Sequence, residues 1–314
     1  MLPAPLRGIV TPLITPLLKK GGIDSESLAR LVEHTIAGGI HGLFLLGTTG
    51  EGPAMSRALR VAMVEQTCKL VRERVPVLVG ITDTSYDEAL IMARTAAEAG
   101  ASAVVSAGPL YYQVSQKLLL QYFKRLAAES PLPLVLYNMP SCTQVRIPSG
   151  TVLRAAEERN IAGMKDSSGD MAYFHQLLRG LQKRPEFTLL VGPEELMAES
   201  VLMGAHGGVN GGSNLWPRLY TTLYEAARSG NLAVVARLQP VVVEACGRLF
   251  DAGSYGEHYL EGLKYAAHLL GLCSPAVSMP YGQLSDSGKR EIEQVVAEIG
   301  EKARAVEAKI TTHM

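Results

Sequence analysis

Apolar residues along this chain alternate between short compact runs and longer stretches in which they recur every third or fourth position. The compact runs, within residues 6–14 and at 42–46, 77–79, 103–106, 134–137, 161–164, 188–191 and 207–209, read as buried strands. The stretches between them read as helices. Asp24 caps the first, whose stripe of Leu28, Leu31, Val32, Thr35 and Ile36 stops at Gly38-Gly39. Ser56 opens a second with Leu59, Met63, Thr67 and Leu70 on one face. Ser85 and Glu88 have capping-box spacing ahead of an alanine-rich helix ending at Gly100. Leu119, Tyr122, Phe123 and Leu126 mark the next, and helices over 149–159, 171–181 and 195–203 follow. Pro217 and Gly230 bound the eighth.

Eight strand and helix alternations imply a parallel sheet covered on both faces, and eight is the number that closes it into a TIM (β/α)8 barrel, here over residues 1–230. An open doubly wound sheet fits less well, because no Gly-x-Gly-x-x-Gly turn follows the first strand. From residue 231 the strand signal stops. Helices over 232–250, kinked at Pro240, and over 257–270 and 285–309 make a C-terminal helical extension, 231–314. No Gly/Ser-rich linker separates it, so it is expected to pack on the barrel.

Charge narrows the classes of function. Thirty basic and thirty acidic side chains cancel and are interspersed, so neither a nucleic acid nor a membrane surface is an expected partner. No apolar run reaches the length of a membrane span, and residues 1–7 lack the pattern of a signal peptide, so a cytoplasmic protein is expected. Cys68, Cys142, Cys246 and Cys273 form no ligand-spaced pair, which argues against a zinc site or a disulfide framework.

The chemistry gathers at the strand ends, where barrels of this kind place their active sites. In Ile161-Ala-Gly-Met-Lys165-Asp-Ser-Ser-Gly-Asp170, a lysine stands where a buried strand meets a loop. Burial favours its neutral amine, which can attack a carbonyl carbon. The bland alternative is a lysine that caps carbonyls or pairs with Asp166. Thr48 and Thr49 follow the second strand, Tyr111 and Tyr112 the fourth, and Tyr137 ends the fifth. An amine attacking a ketone needs a proton delivered and later removed, which suits Tyr137, with Thr48 passing protons between it and Tyr111. Thr49 and the N–H groups of the turn at Gly47 can hold a carboxylate. Glycines 207, 208, 211 and 212 leave room for a ligand or a phosphate near the backbone.

Gly47-Thr-Thr-Gly-Glu51, the Tyr-Tyr segment, Tyr137-Asn138-x-Pro140 and Gly163-Met-Lys165-Asp-Ser-Ser-Gly169 together resemble the pyruvate-dependent class I aldolases typified by dihydrodipicolinate synthase and N-acetylneuraminate lyase. The resemblance implies an imine between Lys165 and pyruvate, Tyr137 as general acid and base, and a relay through Thr48 and a Tyr111 donated by a neighbouring subunit. It implies no metal and no organic cofactor beyond that covalent imine. The substrate-binding set is Gly47, Thr49, Ser167, Gly192, Glu194, Val209, Asn210 and Gly211. The assembly it implies is a homotetramer, a dimer of dimers. Two departures shape the substrate. The synthase branch carries an arginine that clamps aspartate semialdehyde in the loop that here reads Ser141-Cys142-Thr143-Gln144, with Arg146 two positions beyond the motif. Glu194 and Glu195 look similar to the acidic residues that hold sugar hydroxyls in the lyase branch, although Gly211 stands where that branch has a serine. The expected function is a Schiff-base lyase that cleaves or forms a 2-keto-3-deoxy sugar acid, with pyruvate and an aldehyde as partners. The alternatives are dihydrodipicolinate synthase, a keto-deoxy sugar acid dehydratase, and a non-catalytic keto-acid-binding barrel.

Overall fold

The structure is a computed structural model and describes residues 1–250 and 259–311. Strands β1 (Gly8–Pro12), β2 (Gly42–Leu45), β3 (Val77–Gly80), β4 (Ala103–Ser106), β5 (Leu134–Asn138), β6 (Ile161–Asp166), β7 (Thr188–Val191) and β8 (Gly207–Gly208) pair in chain order and close into a barrel. All neighbours are parallel, and β8 returns to β1 through Gly8 and Gly207. Alternation along each strand sorts the side chains. Val10, Phe44, Leu78, Val105, Val135, Tyr137 and Leu190 form one apolar cluster inside the barrel. Their neighbours Ile9, Leu43, Leu45, Val79, Val104, Leu136 and Leu189 pack outward in the cluster shared with the helices.

Helices α1 (Ser25–Ala37), α2 (Arg57–Val71), α3 (Tyr86–Glu98), α4 (Gln116–Glu129), α5 (Pro140–Thr143), α6 (Ser149–Ala155), α7 (Met171–Gly180), α8 (Met197–Leu202) and α9 (Pro217–Arg228) surround the strands. Asp24 and Ser56 cap α1 and α2 as expected, accepting from Ser27 N and Leu59 N. The capping box of α3 is made on one side. Ser85 accepts from Glu88 N, but the Glu88 carboxylate pairs with Arg57, and Ser85 N donates to Asp83 instead. The expected helix over 149–159 ends early, where Glu158 N bonds Ala155 O and tightens the last turn. The loop after β5 is a short helix, α5, opened by Pro140. The expected helix over 195–203 divides into a 3₁₀ turn, Glu194–Leu196, and α8.

The extension holds α10 (Leu232–Phe250), a single helix that includes Pro240, then α11 (Tyr259–Leu269) and α12 (Asp286–Thr311). Positions 257 and 258 of the expected second helix lie outside the described residues. The extension is tied to the barrel by polar contacts: Ser274 Oγ donates to Leu17 O at 2.9 Å, and Gln239 Nε2 to Glu195 O at 2.7 Å. Among the described residues, no helix is long and apolar enough to cross a membrane.

Candidate active site

The site begins with strand register. Leu134 pairs with Ile161, but Val135 pairs with Gly163, so β6 carries one extra residue at this point. Without that bulge Met164 would stand opposite Tyr137. With it Lys165 does, and Asn138 faces Asp166 one step on. Lys165 and Tyr137 therefore share the inward face. Lys165 is 7% exposed, and its Nζ donates to Tyr137 Oη at 3.3 Å. The same nitrogen lies 4.3 Å from the Tyr137 ring centre and 5.3 Å from that of Phe44. Asp166 turns the other way, accepting from Asn138 Nδ2 at 2.8 Å and from the Ser168 hydroxyl at 3.0 Å. Burial holds that carboxyl above its ordinary range. Pairing of Lys165 with Asp166 is thereby ruled out.

The loop after β2 brings the next group. Leu46 adopts a left-handed conformation at φ 58°, and the chain reverses so that Glu51 N bonds Thr48 O at 3.1 Å. Thr48 Oγ1 then lies 3.4 Å from Tyr137 Oη, so Lys165, Tyr137 and Thr48 form a continuous polar chain. Tyr111 is not brought to it within this chain. It is 87% exposed at the tip of the loop after β4, at φ 73°, with its ring edge-on to Tyr112 at 5.1 Å. A positive φ is costly for a bulky residue such as tyrosine.

The remaining expected binding residues are distributed differently. Thr49 is buried, and its hydroxyl bonds Tyr259 Oη at 2.9 Å. Val209 belongs to the inner barrel cluster, and Asn210 Nδ2 donates to Gly192 O at 3.1 Å. Glu194 is 4% exposed and turned into the protein. Its carboxylate accepts from Gly212 N at 2.9 Å, from Cys246 Sγ at 3.2 Å and from the Tyr220 hydroxyl, and burial raises its pKa. The glycines are closely packed by their own neighbours. Side-chain positions there are taken by Ser167 at Gly192, by the Gly8 backbone at Gly207, by Asn210 at Gly208, by Tyr259 at Gly211 and by Tyr220 at Gly212. At these glycines the direction a side chain would take is already occupied by the protein's own atoms.

A cavity of about 310 Å³ opens over Tyr137 and Thr48, with Cys142 and Tyr281 on its wall. Arg146 is engaged elsewhere: it bonds Asp170 at 2.6 Å and lies over the Tyr173 ring. One buried pair was not legible as a pair in the sequence. Lys264 of α11 pairs at 2.5 Å with Glu51, the last residue of the loop after β2, both side chains being 0% exposed. Glu51 also accepts from Ser278 N at 2.6 Å, so the extension pins the loop that carries Thr48 and Thr49. A signal was present, because Lys264 interrupts the apolar stripe of Leu260, Leu263 and Ala267.

Residues 5–299 match the dihydrodipicolinate synthetase family. Over 94% of this chain and 99% of its own, dihydrodipicolinate synthase from the commensal bacterium Bacteroides thetaiotaomicron is 46% identical and superposes with a TM-score of 0.91. A prophage protein of Escherichia coli K12, of the dihydrodipicolinic acid synthase family and solved in complex with pyruvate, is 27% identical, with a TM-score of 0.89 over 94% and 98% of the two chains. A probable 2-dehydro-3-deoxy-D-pentonate aldolase of the same bacterium is 32% identical over 76% of this chain and 79% of its own. The chain thus belongs to the dihydrodipicolinate synthetase family, pyruvate-dependent lyases that work through a lysine imine and need no metal.

Proposed function

We propose that this enzyme cleaves, or makes in reverse, a 2-keto-3-deoxy sugar acid, with pyruvate and an aldehyde as the other side of the reaction. The observation that carries the reading is the buried Lys165 amine 3.3 Å from the Tyr137 phenol, itself 3.4 Å from Thr48. Lys165 Nζ adds to the keto carbon, and Tyr137 gives a proton to the departing hydroxyl, which leaves as water. The resulting phenolate takes the proton of the substrate's C4 hydroxyl. The C3–C4 bond then breaks, its electron pair enters the iminium, and the aldehyde departs. Protonation of the enamine carbon and addition of water return pyruvate and the free lysine. Thr49 and the backbone of the turn at Gly47 hold the carboxylate, beside the segment from Val209 to Gly211.

Tyr111 completes the relay to Thr48 from a second copy of the chain, within a cytoplasmic tetramer of paired dimers. Its outward placement supports that role. A sugar-like aldehyde is supported by Cys142 in place of a guanidinium, by the engagement of Arg146 with Asp170, and by the likeness to the 32% identical pentonate aldolase. The 46% identity to a synthase favours a second reading, condensation with aspartate semialdehyde. Incubation with pyruvate and borohydride should add the reduced pyruvyl mass to Lys165. An unmodified Lys165 would overturn the imine. A panel of 2-keto-3-deoxy acids beside aspartate semialdehyde separates the two substrates, and efficient use of the semialdehyde would refute the sugar reading.

A further inference from the structure

Tyr259 is the first residue of α11, and its ring packs on Phe250 with centroids 4.6 Å apart. It comes from the helical extension, yet its hydroxyl ends beside the loop after β2, 2.9 Å from Thr49 Oγ1. It can do so because residue 211 has no side chain. A Cβ at Gly211 would lie 2.5 Å from Tyr259 Oη, closer than such atoms approach, and a tight 3.2 Å from Glu194 Oε1. Gly211 and Tyr259 thus occupy one space between them.

We infer that Tyr259 is a positioning residue for substrate binding: its phenol donates to Thr49 Oγ1 and so fixes the Thr49 proton toward the carboxylate of the 2-keto acid. A threonine hydroxyl has a single proton and two acceptor sites. If Thr49 donated to Tyr259, it would have nothing to offer an anion. A phenol that donates to it removes that competition and polarises its O–H bond. Burial raises the pKa of Tyr259, which keeps the phenol protonated and able to donate. Glu194, held by Tyr220, Cys246 and Gly212, borders the same Gly211 position as the phenol.

This inference rests on the proposed function, in which Thr49 meets the carboxylate. The test measures how much pyruvate half-saturates borohydride trapping on Lys165, using the full-length protein. Tyr259→Phe keeps the ring on Phe250 and removes one oxygen; the half-saturating concentration should rise about tenfold, with the maximal labelling unchanged. Thr49→Val should give a similar loss, and combining it with Tyr259→Phe should add little, because the two act as one unit. Gly211→Ser should also weaken binding in the parent, where its Cβ meets the phenol. In the Tyr259→Phe background the same serine fits and returns a hydroxyl, so binding should recover. A merely structural role would make the double variant worse than either single one. Unchanged half-saturation in Tyr259→Phe, or no rescue by the serine, overturns the inference while trapping in the parent upholds the imine. Failure of the parent to trap pyruvate overturns the proposed function itself.

Discussion

Backbone register sets the short separation between Lys165 and Tyr137, because their Cα atoms are already partners across β5 and β6. Both were legible for the same reason: chain order and a period of two place a strand-end residue from the sequence alone. Thr48 followed from its address after β2. What packs at the glycines was not legible, since a missing side chain looks the same in a sequence whatever stands against it; at Gly211 and Gly212 the neighbours are the hydroxyls of Tyr259 and Tyr220. Glu194 shows a related limit. Its position after β7 was read correctly, but the partners that turn it inward, Tyr220 and Cys246, lie on helices that no local pattern connects to it. Cys142 on the cavity wall gives a prediction at this scale. A thiol cannot form the forked pair a guanidinium makes with a carboxylate. Cys142→Arg is therefore expected to raise kcat/KM for aspartate semialdehyde by roughly tenfold or more, measured beside the sugar-acid panel. No gain would mean that this loop does not reach the aldehyde half of the site.

Elements were easier to read than their exact bounds. Capping residues such as Asp24 and Ser56 announce a helix because their side chains satisfy its first N–H groups. The bulge before Gly163 was invisible, since one extra residue in β6 changes no composition, yet it decides which side chain faces Tyr137. The entry to β8 carries a pH dependence. His206 Nδ1 accepts from Leu189 N at 2.9 Å, and burial, aided by Arg7, lowers its pKa from 6.5 to about 4. The unfolded chain then binds a proton that the folded one refuses. Between pH 6.5 and about 4 this group makes stability fall as pH falls, and above 6.5 its contribution is constant. Replacing it with asparagine, as His206→Asn, should flatten the loss of thermal midpoint across that window. An unchanged slope would show that other groups set the acid limit.

At the scale of the molecule, the count of eight alternations was enough to predict ring closure, and the pairing of β8 with β1 delivers it. The packing of the extension was less legible. Its stripes indicate a buried face without naming what covers it. Tyr111 gives the prediction here, since its site in the proposed assembly belongs to another copy. Mixing Tyr111→Phe and Lys165→Ala chains, each inactive alone, should restore activity as subunits exchange. By the symmetry of a two-fold pair, about a quarter of the sites regain both groups. No recovery in the hybrids would make Tyr111 a residue of its own chain. The pin between Lys264 and Glu51 has a further consequence. A ribosome that has delivered residue 230 has made every strand and Lys165, but the carboxylate of Glu51 still lacks its cation and Thr49 its phenol. If Thr49 meets the substrate as proposed, its setting is finished only when the tail has been made, and a chimera that borrowed a relative's last helices would change that setting with them.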